Sequence, residues 1–263
     1  MKNLHLLKLK NIALDKAWNR LEKMGVELVY GNEASEGSQL YIYLTKGQHL
    51  QQLPWIDSCL PASFPEVDWH QQWELHSASF HEGKAHISLE SYGIQSGPIQ
   101  LLPGEGFGDL SHPTTCLMLE LMASQVKGKT FIDMGCGSGI LSLAAIAMGA
   151  KRSFGIDIDP KAIEHAKHNA TLNEMADRSH FCFPNALPIV MPYEPCVIGI
   201  NMITTEQTVA WGSVSFLHQH NFPVISSGVQ HSQREAYLAQ AAMRGWSMQN
   251  EIAKDGWLAF HFV

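Results

Sequence analysis

The stretch FIDMGCGSG, residues 131–139, decides how the rest of this chain is read. It joins an apolar run, TFIDMG (130–135), to a second one, ILSLAAIAMGA (140–150). The first reads as a strand and the second as a buried helix ending at Gly149. Between them Gly135, Gly137 and Gly139 let the backbone turn sharply and approach a ligand closely. The helix that starts there presents N–H groups with no intrahelical partner. A dinucleotide-binding turn carries G-x-G-x-x-G, but here Ile140 takes the place of the third glycine and Gly139 comes one position early. The pattern is G-x-G-x-G with Asp133 two residues before it. A ligand-free tight turn is the alternative, and the strand–turn–helix setting argues against it.

Working outward, RSFGIDID (152–159) is the next strand. Asp157 closes it about 20 residues beyond the glycines, where an acidic residue accepts hydrogen bonds from ribose hydroxyls. Asp159 precedes Pro160 and is expected to cap the helix PKAIEHAKHNATLN (160–173). HFCF (180–183), CVIGINMI (196–203) and FPVISSGV (222–229) are further strands, and helices are expected over 114–126, near 204–218 and over 231–243. Alternating strands and helices imply a parallel sheet covered on both faces. The end, WSMQNEIAKDGWLAFHFV (246–263), reads as a hairpin turning at Lys254–Gly256 that adds an antiparallel edge. The fourth strand of the sheet runs into INMITTEQ (200–207). Ligands of open α/β sheets bind at the carboxyl ends of strands, so Asn201 points towards a reaction centre, with an amide able to donate and accept. The alternative is a turn or capping Asn, but Thr204 or Thr205 is the more natural cap for the next helix.

The first part of the chain has another texture. Residues 4–10 read as a strand and 13–24 as an amphipathic helix closed by Gly25. VELVY (26–30) and QLYIYL (39–44) read as strands across a polar loop, GNEASEGS (31–38), and KAHISLE (84–90) alternates again. Together they predict a small α+β domain over 1–95. Residues 96–112, rich in Gly and Pro, form a linker, and 113–263 form the ligand-binding domain. Within GFGDLSHPTT (106–115), His112 is either structural or a general base, and the structural reading is favoured for a lone His. Cys136, inside the glycine loop, has no His partner fixed by the sequence and so is not read as a nucleophile.

Composition narrows the classes. The chain has 263 residues, 45% of them hydrophobic and 16% charged, which excludes wholesale disorder. Its 18 Lys and Arg against 25 Asp and Glu, with no long basic run, disfavour a direct nucleic-acid partner. Five cysteines at wide spacing, without a C-x-x-C pair, suit reduced thiols rather than disulfides or a metal centre. No stretch is long and apolar enough for a membrane span, and the expected location is the cytoplasm.

At these residues the chain resembles the class I S-adenosylmethionine-dependent methyltransferases. It is similar above all to the PrmA family, which methylates the eleventh protein of the large ribosomal subunit. GDLSHPTTCLMLELM, IDMGCGSGILSLAA, GIDIDPKAIEHAKHNA and INMI stand in the order of that family's motifs. The resemblance is strong over 106–203 and looser to the C-terminus, and it touches the N-terminal half only through DWHQQW (68–73) and the strand–helix–strand start. It implies a Rossmann-like methyltransferase sheet, S-adenosyl-L-methionine as cofactor and no metal. Cofactor contacts are implied at Thr115, Asp133, Gly135, Gly137, Gly139, Asp157 and Asn201, with Asn201 also in the catalytic role. The implied reaction is N-methylation of lysine or N-terminal amines of a ribosomal protein held by residues 1–95. The chain departs from the family at two places: GDLS stands for GTGT, and TTEQ stands where the family carries a small residue and Pro-Leu after the Asn. These leave open another acceptor for the same fold, or a cofactor-binding module without activity. A nicotinamide oxidoreductase is disfavoured by Ile140.

Overall fold

The computed structural model describes residues 3–34, 37–44, 50–62, 73, 79–104, 108, 112–187, 195–214, 217 and 220–263. They belong to two compact units, Met1–Val67 and Asp68–Val263.

In the first unit, β1 (Asn3–Leu9), β2 (Glu27–Ala34), β3 (Gly37–Leu44) and β4 (Ile56–Pro61) form an antiparallel sheet of order β2-β3-β1-β4, with helix α1 at Leu14–Lys23. Ala17 and Leu21, four residues apart on one face of α1, are fully buried in a core with Leu7, Leu40 and Ile42. The expected polar loop over 31–38 is mostly ladder instead: Gly31 pairs with Leu40 and Ala34 with Gly37. β2 is an edge strand, and backbone pairing to one neighbour does not require an apolar sequence there.

In the second unit a small sheet of β5 (Phe80–His81), β6 (Lys84–Ile87) and β7 (Ile99–Leu101) precedes α2 (Pro113–Met122). Then come β8 (Thr130–Met134), α3 (Ile140–Ala147), β9 (Arg152–Ile156), α4 (Pro160–Leu172), β10 (Ser179–Cys182), β11 (Cys196–Asn201), α5 (Thr204–Ser213), β12 (Val224–Gln230), α6 (Arg234–Met243), β13 (Met248–Lys254) and β14 (Trp257–Phe262). They build a seven-stranded sheet of order β10-β9-β8-β11-β12-β14-β13. The first five of these are parallel, and the terminal hairpin adds the antiparallel edge, as its alternation predicts. Successive residues of β8 serve opposite faces: Phe131 enters the core with Met118 and Leu141, and Ile132 the core with Trp211 and Tyr237.

KAHISLE lies in this second unit, and the stretch read as a linker contains β7. Its glycines and prolines obscured the alternation of Ile99 and Leu101, both buried. β7 is also fastened to α4. Asn173 Oδ1 accepts from the Gln100 N–H at 2.8 Å and Asn169 Oδ1 from the Leu102 N–H at 2.9 Å. His165 Nε2 lies 2.8 Å from the Leu102 carbonyl. Residues 105–107 and 109–111, which include Asp109 and Leu110, and most of DWHQQW lie outside the described residues. Among the described residues no helix is long and apolar enough to cross a membrane.

Candidate active site

The strand order reverses between β8 and β11, and both carry a sequence-predicted residue at their carboxyl ends. Such a switch point leaves a crevice above the sheet. Here the crevice is a cavity of about 570 Å³ whose wall includes Gly135, Gly137, Asp157, Asn201, Met202 and Glu206. The turn after β8 is held by backbone bonds: the Gly135 N–H donates to the Ile156 carbonyl at 2.8 Å and the Cys136 N–H to the same oxygen at 3.0 Å. Gly135 has φ +72°, and a Cβ there would lie 2.5 Å from Met202 Sδ. The turn therefore needs glycine for both conformation and space.

Asp157 stands just past β9. Its Oδ2 accepts from the Gly137 N–H at 3.1 Å and its Oδ1 from the Asp159 N–H at 3.0 Å. Each carboxylate oxygen has a second lone pair, so both can still accept from a ligand in the cavity. Asp159 caps α4 as expected, accepting from the Lys161 N–H at 2.9 Å.

Asp133 sits behind the loop, not in the cavity wall. It is 1% exposed, and its Oδ2 accepts from Ser142 twice, from N at 3.0 Å and from Oγ at 2.8 Å. Gly139, at the N-cap of α3, offers no side chain, so Asp133 caps that helix from the neighbouring strand. Burial pushes its carboxyl from the ordinary 3.8 up to about 7, with the nearby Asp157 charge adding to the rise. Its Oδ1 is buried with no hydrogen-bond partner. Gly139 and Thr115 also stand off the cavity wall. Thr115 is fully buried near the start of α2, with its Oγ1 unpartnered. The structure thus brings Gly135, Gly137, Asp157 and Asn201 together in the wall and sets Asp133 and Gly139 behind the glycine turn, while Thr115 is buried in α2 off the wall.

His112 is an N-cap: Nδ1 accepts from the Thr114 N–H at 3.4 Å and contacts Thr114 Oγ1 at 2.8 Å, with its ring edge-on to Trp257. Burial pushes the Cys136 thiol well above its ordinary value, so it stays protonated. Helix α5 has Ile203 at its N-cap and no side-chain cap, so neither Thr204 nor Thr205 plays that part.

Sequence reading missed Gln207, which is 2% exposed. Its Nε2 donates to the Met202 carbonyl at 2.8 Å and to the Ser227 carbonyl at 2.9 Å. Its Oε1 accepts from Ser226 Oγ at 3.1 Å and from the Tyr237 hydroxyl at 2.8 Å. A Gln within a helix otherwise rich in polar residues carries no signal of its own. Only its place at the end of INMITTEQ pointed to it.

The sequence profile of the family described as Ribosomal protein L11 methyltransferase (PrmA) matches residues 10–263. This chain belongs to that family. The ribosomal protein L11 methyltransferase of Enterobacter sp. (strain 638) is 39% identical over 199 residues, 73% of this chain and 66% of its own length. That of Tolumonas auensis is 32% identical over 197 residues, again 66% of its own length. The match therefore spans slightly less than two thirds of these relatives. Among solved structures, a ribosomal protein L11 methylase from Lactobacillus delbrueckii subsp. bulgaricus superposes with a TM-score of 0.56 at 24% identity, covering 68% of this chain and 97% of that one. It shares the fold.

Proposed function

We propose that this protein is an S-adenosyl-L-methionine-dependent methyltransferase of protein amines, with a large-subunit ribosomal protein as acceptor. The observation that carries this reading is the charge of the cavity. Asp157, Asp159 and Glu206 line it, and among the described residues no Lys, Arg or His does. A field of that sign favours a cationic ligand and opposes the pyrophosphate of a dinucleotide. The residues present fit such a cofactor. Asp157 has lone pairs left for ribose hydroxyls, Gly135 and Gly137 allow close approach, and Ile158 and Pro184 offer apolar surface beside them. Asp133 and Gly139 hold the glycine turn behind this wall, and relatives named ribosomal protein L11 methyltransferase support an acceptor among ribosomal proteins.

When bound, the cofactor supplies a methyl group made electrophilic by its sulfonium. The chain's own task is then to orient an attacking amine. An amine of ordinary pKa near ~10.4 must shed its proton before it attacks. Desolvation against Met134, Met202 and Val214, which line the cavity, favours the neutral form. Asn201, at the end of β11, accepts from the amine N–H through its amide oxygen and needs no change of its own protonation. We assign acceptor recognition to the first unit, Met1–Val67, and methyl transfer to the second, Asp68–Val263.

The test is incubation of the purified protein with isotopically labelled S-adenosyl-L-methionine and isolated L11, followed by mapping of the label. Label on lysine or N-terminal amines supports the reading. Cofactor binding with no transfer to any protein amine overturns it.

A further inference from the structure

Of the buried polar groups outside the cavity wall, one forms a complete network directly beneath it. The two donors and the acceptor oxygen of the Gln207 amide are all engaged. The network ties two neighbouring strand ends together, because Asn201 of β11 and Ser227 of β12 are register partners in the parallel ladder. The amide bridges the carbonyl of the residue after Asn201 to that of Ser227. The far side is closed by Ser226 and Tyr237, whose hydroxyl oxygens lie 2.5 Å apart. Burial pushes the Tyr237 hydroxyl up to about 12, so it remains a neutral donor.

Two further contacts converge on Met202. Gly228, at φ +88°, passes so close to the Met202–Ile203 peptide that any Cβ would overlap the Met202 carbonyl. The Met202 side chain in turn covers Gly135 in the glycine turn. Met202 is thus held through its carbonyl by Gln207 and laid by its side chain over the loop on the far side of the cavity. Its position fixes the exit of the chain from Asn201.

We propose that Gln207 is the positioning residue of this site. Its amide sets the Met202 carbonyl, and through it the height and direction of Asn201 against the glycine turn. This deepens the reading of the cavity as a methyl-transfer site and rests on it. Gln207 touches neither acceptor nor cofactor, so it acts through Asn201 and Met202 alone. The TTEQ departure acquires a role in this way: it supplies the buried amide that holds the loop.

The experiment compares Gln207→Met, which keeps length and removes every polar atom, with Tyr237→Phe. The phenylalanine variant removes one hydroxyl at the far end and leaves both amide donors on their carbonyls. Each protein is followed by thermal unfolding, amide hydrogen exchange over 201–209, calorimetric titration of S-adenosylhomocysteine, and methyl transfer to L11. Releasing the Met202 carbonyl loosens the start of α5, so exchange at 207–209, the first N–H groups bonded within that helix, is accelerated about tenfold or more in Gln207→Met, with the ends of β8 and β9 unchanged. It lowers kcat at least about tenfold, with the acceptor KM within about threefold. Tyr237→Phe loses comparable thermal stability yet keeps kcat and loop exchange within about threefold of the parent. If loss of activity simply tracks loss of stability across both variants, Gln207 is structural and the proposal fails. It also fails if Gln207→Met is folded with unchanged loop exchange. Should the parent protein methylate no amine, the functional reading falls, and the exchange comparison still decides whether Gln207 holds the loop.

Discussion

Asp157 and Gly137 are joined across twenty positions by a hydrogen bond of 3.1 Å from the loop N–H to the carboxylate. The acidic residue after β9 therefore has two tasks: it shapes the glycine turn and it offers its remaining lone pairs to the cavity. Asp157→Ala removes both. Hydrogen bonds to charged groups contribute about 1.5–3 kcal/mol each, so cofactor affinity falls by about a hundredfold in calorimetric titration. Asp159→Ala is the matched control. It removes the α4 cap, which costs about 1 kcal/mol of stability, and one carboxylate of the cavity wall but no ribose partner, so affinity falls by no more than about tenfold. Equal affinity for Asp157→Ala and the parent would refute the ribose assignment.

Asp133 carries the clearest pH dependence. Its carboxyl titrates near 7 in the folded chain and near its ordinary 3.8 when unfolded. Between these two values the folded state binds more protons than the unfolded one, so stability falls as pH rises through that window. Asp133→Asn removes this titration and keeps an oxygen for Ser142. Between pH 5 and 8 the parent loses about 2–3 kcal/mol more than the variant, at roughly 1.4 kcal/mol per unit inside the window. Denaturant unfolding at several pH values reads the difference. Parallel curves would show that Asp133 is ionised throughout.

Legibility of the sequence follows the range of the forces involved. The glycine turn, the Asp159 cap and the parallel alternation are local, set by φ preferences, side-chain reach and period, and they stand where the residues predict. The strand β7 and the polar end of β2 were hidden, because glycine, proline and polar residues weaken the local signal while pairing with a distant strand restores it. The split of the predicted site into cavity wall and support was hidden for a similar reason. Asp133 and Asp157 look alike in sequence, each preceded by apolar residues of a strand. Only the register between β8 and β9 turns one into the wall and the other behind Ser142. Gln207 was hidden most deeply, since its four partners lie on its own loop, on β12 and on α6.

Asn169 provides the last prediction. It is fully buried on α4, and it holds two distant segments at once. Its Oδ1 accepts from the Leu102 N–H at 2.9 Å and its Nδ2 donates to the Ser138 carbonyl in the glycine loop at 2.9 Å. Asn169→Ala leaves a backbone donor and a backbone acceptor unmatched. At about 1–3 kcal/mol for each such group the loss is about 2–6 kcal/mol. For a unit of this size the unfolding midpoint falls by about 4–24 °C. Thr171, on the same helix, bonds only the Lys167 carbonyl from an exposed position, and Thr171→Ala changes stability by less than about 0.5 kcal/mol. Because Asn169 reaches the loop as well as the β7 segment, its alanine variant also weakens cofactor binding, which Thr171→Ala does not. A stability loss in Asn169→Ala with undiminished affinity would show that the glycine turn keeps its shape without this tether.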